Sequence, residues 1–282
     1  MRARRSKRNK YIKKTLYIIG FALFVIVTVF PFYWQLLTSV KDPADIGKMP
    51  TQLWPERFSL KLFESVFVNH HLQTYLLNSI IVATGAMVLT IVIAFPAAYA
   101  FSRIDFKFKS FWQGIILLAN MFPLIAIVTP MFIIFRSLHL LNTYLGLILP
   151  SVILTLPMAI WTLIAFINTI PFELEEAVRI DGGKQRDVIF KIVLPLSVQG
   201  IFTTGIIAFI GAWNEFIFAL ILVTKSEMRT VPIAIAMFPG EYSVPWGDMS
   251  AASIVATIPI IVLVLISQRR LVSGLTSGAL KG

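Results

Sequence analysis

Six long apolar stretches punctuate this chain: Thr15 to Leu37, Leu76 to Phe101, Phe111 to Phe135, Tyr144 to Asn168, Val198 to Val223 and Ser250 to Gln268. Each is long enough to cross a hydrocarbon layer about 30 Å thick, a distance that takes roughly 20 helical residues. In lipid, every backbone N–H and C=O has to be paired within its own segment or around a closed barrel. The runs lack the apolar and polar alternation of barrel strands, so they read as helices. The expectation is an all-α polytopic membrane protein with six transmembrane helices. Composition agrees: 57% of the 282 residues are hydrophobic, 14% are charged and mean hydropathy is +0.81, well away from ordinary soluble domains.

Orientation follows from where the cations fall. With the N-terminus inside, the cytoplasmic segments carry 18 Lys and Arg and the outer loops carry 7. The reverse orientation would invert that ratio, so both termini are expected in the cytoplasm. The cluster Arg2, Arg4, Arg5, Lys7, Arg8, Lys10, Lys13 and Lys14 has the look of a secretory signal. The apolar part after it is too long, lacks a small-residue cleavage site and is followed by five more spans, so it reads as a retained helix. A basic arm abutting a membrane span is a topology signal rather than a nucleic-acid contact. The resulting organisation is a basic cytoplasmic N-terminus at 1–14, a first span at 15–37, an outer loop at 38–75, a core of five spans at 76–268 and a cytoplasmic tail at 269–282. There is no fixed-period repeat, low-complexity tract or soluble domain, and cysteine is absent.

Prolines occur at 31, 96, 123, 130, 150, 157 and 259 within or beside the spans. Each removes a backbone bond and favours a bend, although proline is also simply more frequent in membrane helices. In the first outer loop FSLKLFESVF has helical apolar spacing, and the last outer loop, Thr224 to Met249, is expected to be turn-rich around Pro232, Pro239, Gly240, Pro245 and Gly247. Glu215 is the only acid inside a span. An ionisable group at that depth points to a partner or a watery cavity. Trp213, Asn214 and Glu215, and likewise Asn78 and Asn120, either face a watery passage through the bundle or tie their helices to neighbours. His70, His71 and His139 lie in outer links without metal-ligand spacing, so no metal site is expected.

One strongly charged island interrupts the apolar pattern, Glu173 to Gly200, between the fourth and fifth stretches. Thr169 is a candidate N-cap with Pro171 near the first turn, and Glu173, Glu175 and Glu176 suit the positive end of a helix dipole. Leu174, Ala177 and Val178 give that short helix one small apolar face. Gly182 and Gly183 end it, with Asp181 at the turn. A second helix starts near Lys184 and carries Val188, Ile189, Ile192 and Val193 on one side, closing at Leu194 and Pro195. Such an element either rests on lipid headgroups or docks a partner. Five acids against four bases between Glu173 and Lys191 gain little from an anionic leaflet, whereas a protein groove pairs both signs.

The pattern E-A-V-x3-G-x9-I-x-L-P, set by Glu176, Ala177, Val178, Gly182, Ile192, Leu194 and Pro195, resembles the EAA loop of permease subunits in binding-protein-dependent ABC importers. Asp181 matches the acid before the glycine. Val178 and Gly183 depart from the alanines commoner there. AWNEFIFAL at Ala212 to Leu220 and the tail QRRLVSGLTSGALKG resemble the maltose-type carbohydrate branch. The resemblance covers nearly the whole chain and implies a type I ABC importer permease fold in the inner membrane. It implies that Glu176, Ala177, Val178, Asp181, Gly182, Gly183, Ile192 and Pro195 form an ATPase-coupling joint. It further implies a second homologous permease, two cytoplasmic ATPase subunits holding ATP and Mg, an extracytoplasmic solute-binding protein, a sugar cargo and surrounding lipid. This chain itself would bind no cofactor, and no nucleic acid is implied.

The chain contains no G-x4-GK[ST] loop, so nucleotide is expected on another subunit. An intramembrane enzyme would need a nucleophile with a base, paired acids or a metal cluster, which a lone Glu215 does not supply. A secondary carrier is disfavoured by the missing inverted repeat. The cargo expected from the resemblance is a disaccharide or oligosaccharide such as maltose, maltodextrin or trehalose. Glycerol phosphate and acidic oligosaccharides are the alternatives.

Overall fold

The structure, a computed structural model, describes residues 2–238 and 244–279, with side chains over 13–238 and 244–267. Within those residues its regular structure is helical, apart from one isolated bridge between Lys41 and Phe58. In chain order the helices are α1 (Arg2–Ser39), α2 (Lys61–Val68), α3 (Leu72–Arg103), α4 (Lys109–Ala119), α5 (Leu124–Ser137), α6 (Tyr144–Ile167), α7 (Glu173–Ile180), α8 (Gln185–Asp187), α9 (Leu194–Leu196), α10 (Val198–Trp213), α11 (Ile217–Leu222), α12 (Val231–Ala236) and α13 (Trp246–Ala279). A wide π turn, Val188–Val193, links α8 to α9.

Four helices are single apolar spans, over Lys13–Ser39, Leu72–Arg103, Tyr144–Ile167 and Trp246–Ser267. The third expected span is instead two helices, α4 and α5, meeting at 93°. Pro123 sits at the break as the N-cap of α5 with extended backbone. It lacks an N–H and pushes Phe122 away from helical geometry, which stops α4 short. The fifth expected span also breaks: α10 ends at Trp213 and α11 begins at Ile217. The helix of the sixth expected span, α13, starts at Trp246, not Ser250, so the loop before it is shorter than expected. Short helices occupy much of the rest of that loop, a 3-10 turn at Ser226–Met228 and then α12, in which Pro232 takes one of the first two positions, where its missing N–H costs nothing. Residues 239–243, with Pro239 and Gly240, lie outside the described residues, as do residues 280–282 of the tail. The side chains of the basic N-terminal cluster up to residue 12 are likewise not described.

The chain divides into two compact units, Met1–His71 with Phe238–Val255, and Leu72–Met237 with Ala256–Gly282. In the first, the apolar surface of α1 is exposed along its span, from Leu16 to Phe32. At its end Lys41 is buried, donates to the Gln52 carbonyl at 2.8 Å and lies 5.0 Å from the Trp34 ring centroid. His70 stacks on Phe238 and contacts Asp248 at 3.4 Å, a carboxylate neighbour that lies 178 residues away in sequence.

In the second unit α3, α6 and α10 pack on one another. One core joins Ala94, Ala98 and Tyr99 of α3 to Ala159, Leu163 and Ile167 of α6, and it continues into Val188 and Val193 of the island. Another joins Ala83 and Ala86 to Val152, Phe209 and Trp213. Thr90 and Thr155 bond across α3 and α6 at 2.9 Å. Small residues set the closest approach: a Cβ at Gly200 would lie 2.5 Å from the Phe166 ring.

Candidate functional site

The island folds as a helix, a glycine corner and a second helical arm. Phe172, not Thr169, is the N-cap of α7, because Thr169 turns its hydroxyl back to the Phe166 carbonyl at the end of α6. Glu173, Glu175 and Glu176 occupy the first turn and Arg179 the last, each on the side that the helix dipole favours. At the corner the N–H groups of Asp181, Gly182 and Gly183 donate back to Ala177, Arg179 and Val178. Gly182 is left-handed at φ +78° with open space around it. Gly183 is needed for closeness instead: a Cβ there would come within 2.5 Å of Val178 Cγ1 and 2.7 Å of the Val178 carbonyl. Beyond the corner, Asp187 accepts from the Lys184 N–H at 2.9 Å and pairs with Lys191 at 3.0 Å. These partners, Lys191 first and then the Lys184 N–H, hold its carboxyl below the usual carboxylate range.

The two sides of this island differ in kind. Val178, Val188, Ile189, Val193 and Leu194 pack into the core of α3 and α6. On the other side Glu173, Glu176, Ala177, Asp181 and Gly182 are exposed, together with Leu174 (43%), Ile180 (84%) and Phe190 (67%). Ile192 is half-buried and Pro195 exposed. An apolar knob beside acids, held on a rigid base, has the make-up of a docking surface.

Glu175 was not singled out as a site residue from the sequence, yet it is the best connected residue of the island. Its side chain is fully buried. It accepts from Tyr99 Oη at 2.9 Å and from Arg103 Nε at 2.6 Å, with Arg179 at 3.9 Å. Arg103, 10% exposed, also donates through Nη2 to the carbonyls of Ile167 (2.9 Å) and Ile170 (2.6 Å). From the second arm, Gln185 Nε2 donates to Tyr99 Oη at 2.5 Å, and Arg179 bonds Gln185 at 3.3 Å. Phe172 lies near both guanidinium groups, 5.9 Å from Arg103 and 5.5 Å from Arg179. The sequence signal was Arg103 itself, a cation closing an apolar stretch, although Asp105 two residues on offered it a local partner.

The polar residues of the spans fall in different settings. Asn78 is buried, donating to the carbonyls of Glu227 (2.8 Å) and Arg229 (2.9 Å) while accepting from Tyr144 Oη (2.8 Å). Its neighbour Ser79 accepts the Val231 N–H, so α3 holds the segment entering α12. Trp213 is buried and stacked on Phe209. Glu215 accepts from the N–H groups of Phe218 (2.8 Å) and Ala219 (3.0 Å), capping α11 across the break. Asn214 is exposed and donates to Ile210, and Asn120 is exposed at the end of α4. Asn78 and Trp213 are thus buried, whereas Asn120 and Asn214 are exposed.

Residues 86–277 match the family model described as "Binding-protein-dependent transport system inner membrane component". The chain is 39% identical to the trehalose/maltose transport system permease protein MalG of Thermococcus litoralis, over 98% of this chain and 99% of that protein. It is 40% identical to the trehalose transport system permease protein SugB of Mycobacterium tuberculosis, over 94% of each chain. It is 39% identical to the sulfoquinovosyl glycerol transport system permease protein SmoH of Agrobacterium fabrum, over 95% and 94%. In fold it is similar to a chain in the crystal structure of a bacterial ABC transporter involved in the import of the acidic polysaccharide alginate. The TM-score is 0.79, with 93% of this chain and 97% of that chain covered at 19% identity.

Proposed function

Because this chain belongs to the family of binding-protein-dependent transport system inner membrane components, we propose that the exposed face of its island is the joint through which ATP hydrolysis elsewhere drives sugar import. The protein is a multi-pass inner-membrane permease, a transport subunit and not an enzyme. The carrying observation is the two-sidedness of the island: its inner side is continuous with the α3 and α6 core, while Ile180, Ala177, Glu176, Asp181 and Gly182 stay exposed. That is the arrangement needed to carry a push from outside the membrane into the helix bundle.

In this reading two cytoplasmic ATPase subunits bind ATP and Mg, and one receives the island in a groove. Nucleotide and a solute-binding protein each favour one conformation of the assembly, which is the condition for driving a change between inward-facing and outward-facing states. A second, homologous permease supplies the other half of the passage and covers part of the apolar surface of α1, lipid covering the rest. Of the five polar span residues, Asn120 and Asn214 are the ones left exposed to face such a passage. The cargo is a disaccharide or oligosaccharide of the trehalose or maltose type, the reading that two of the relatives support. Glycerol phosphate or an acidic oligosaccharide is the second reading, and the third relative, named for sulfoquinovosyl glycerol, extends it to a glycerol-linked sugar.

The test is a cysteine at Ile180 in a chain that has none of its own. In the assembled transporter it is expected to crosslink to an ATPase subunit, and Gly182→Asp or Glu176→Lys is expected to stop uptake while the protein stays in the membrane. Normal uptake in both variants, or a crosslink that never captures an ATPase, would sink the reading. Comparing trehalose, maltose and sulfoquinovosyl glycerol for stimulation of ATP turnover, with the binding protein present, identifies the cargo class.

A further inference from the structure

Two adjacent acids in α7 have opposite surroundings. Glu176 is exposed, whereas Glu175 is fully buried against Arg103 and Tyr99 of α3. The Arg103 guanidinium also holds the carbonyls of Ile167 and Ile170, which leave α6 toward α7. Tyr99 Oη bonds Gln185 of the second arm as well as Glu175. One cluster therefore joins four pieces of chain: the last two turns of α3, the exit of α6, α7 and α8. A buried ion pair of this kind is weak evidence for added stability, since apolar replacements often do as well. What it supplies is direction, because a guanidinium fork bonded at once to a carboxylate and two carbonyls fixes the angle and register of its partners.

We propose that Arg103 and Glu175 are positioning residues that clamp α7 to α3, so that the docking island and this span move as one rigid body. The mechanical consequence rests on the docking reading above, whereas the clamp is a property of this chain alone. Apolar packing by Val178, Val188 and Val193 would keep the island near the core without fixing its angle. The clamp removes that freedom, so displacement of the exposed face reaches α3 as displacement and is not absorbed as rocking of α7.

The experiment places spin labels on cysteines introduced at Val92, exposed on α3, and Ile180, exposed at the end of α7, in the otherwise cysteine-free chain within the complete transporter. The distance between labels is measured by pulsed electron paramagnetic resonance, without nucleotide and with trapped ATP. The expected result is one narrow distance, the same in both states. Arg103→Met is expected to lose that single distance, giving a broad or split distribution that changes with ATP, and Arg103→Lys to fall between. Should Arg103→Met fail to assemble, the double variant Tyr99→Phe with Gln185→Ala gives the same readout, because it cuts the branch to the second arm. An unchanged narrow distance in the assembled variant, or a parent distance that shifts with ATP, overturns the clamp. Failure of the Ile180 crosslink to capture an ATPase overturns the docking reading and leaves the distance measurement to decide the clamp separately.

Discussion

At Gly183 a methyl group has nowhere to go, since Val178 Cγ1 and the Val178 carbonyl already occupy its place. Both residues depart from the alanines commoner in EAA loops, and the structure relates the two departures: the larger side chain at 178 takes the volume that a side chain at 183 would fill. Gly183→Ala alone should destabilise the corner by about 1–3 kcal/mol, the cost typical of overpacking. Pairing it with Val178→Ala should recover part of that, a non-additivity of about 0.5–3 kcal/mol as seen for residues in contact. Thermal unfolding of the two single variants and the double variant in detergent measures it, and strict additivity would refute the pairing. Asn78 makes the complementary case. Truncation to Ala strands the Glu227 and Arg229 carbonyls and the Tyr144 hydroxyl, which at about 0.5–1.5 kcal/mol per bond predicts a loss of about 1.5–4.5 kcal/mol, read from the same melts. An asparagine within an apolar run announces from sequence that it has a partner. Whether that partner is a passing sugar or a loop about 150 residues away is not written locally, because the answer depends on which segments the fold brings beside α3. The same holds for Glu175 and Glu176, neighbours in the chain about 100° apart on a helix. Both suit a first turn, and only the position of Arg103, 72 residues earlier, decides which one is buried.

Length and hydropathy located the apolar segments because both are sums over many residues, to which a local break contributes almost nothing. That is why the single spans were legible and the break at Glu215 was not, while at Pro123 a bend was expected but not a full division into two helices at 93°. The glycine corner was legible for the opposite reason: a left-handed position such as Gly182 is a local demand with few residue types able to meet it. At the second break, α11 is only six residues long, too short to hold itself by internal bonds. Both carboxylate oxygens of Glu215 take up N–H groups in its first turn, at 2.8 and 3.0 Å. Removing that cap with Glu215→Ala should cost about 1–2 kcal/mol, the upper part of the range for caps. Glu215→Gln keeps one acceptor oxygen and should lose less. Melting temperatures ordered parent, Gln, Ala would support capping as the role of this acid. An Ala variant that melts with the parent yet loses uptake would place Glu215 in the passage instead.

For the molecule as a whole, the direction in which it crosses the membrane decides whether the island meets an ATPase at all. The bias of 18 Lys and Arg on one side against 7 on the other is a statistical pull summed over short links, each cation adding a modest preference for the cytoplasmic side. The island is the segment where the prediction has most consequence, because its own charges nearly cancel and so contribute little to the pull. Its side is imposed by the rest of the chain, above all by the basic cluster that opens α1. Absence of cysteine makes the direction measurable with single introduced thiols. Trp54, between α1 and α2, is 66% exposed and Ile180 at the tip of α7 is 84% exposed, so neither thiol is hidden by the fold. In sealed right-side-out vesicles, a membrane-impermeant maleimide should modify Trp54→Cys from outside and reach Ile180→Cys only after permeabilisation. Labelling of Ile180→Cys in intact vesicles would place the island on the side without ATP, and the joint with an ATPase would then be physically excluded whatever its local geometry.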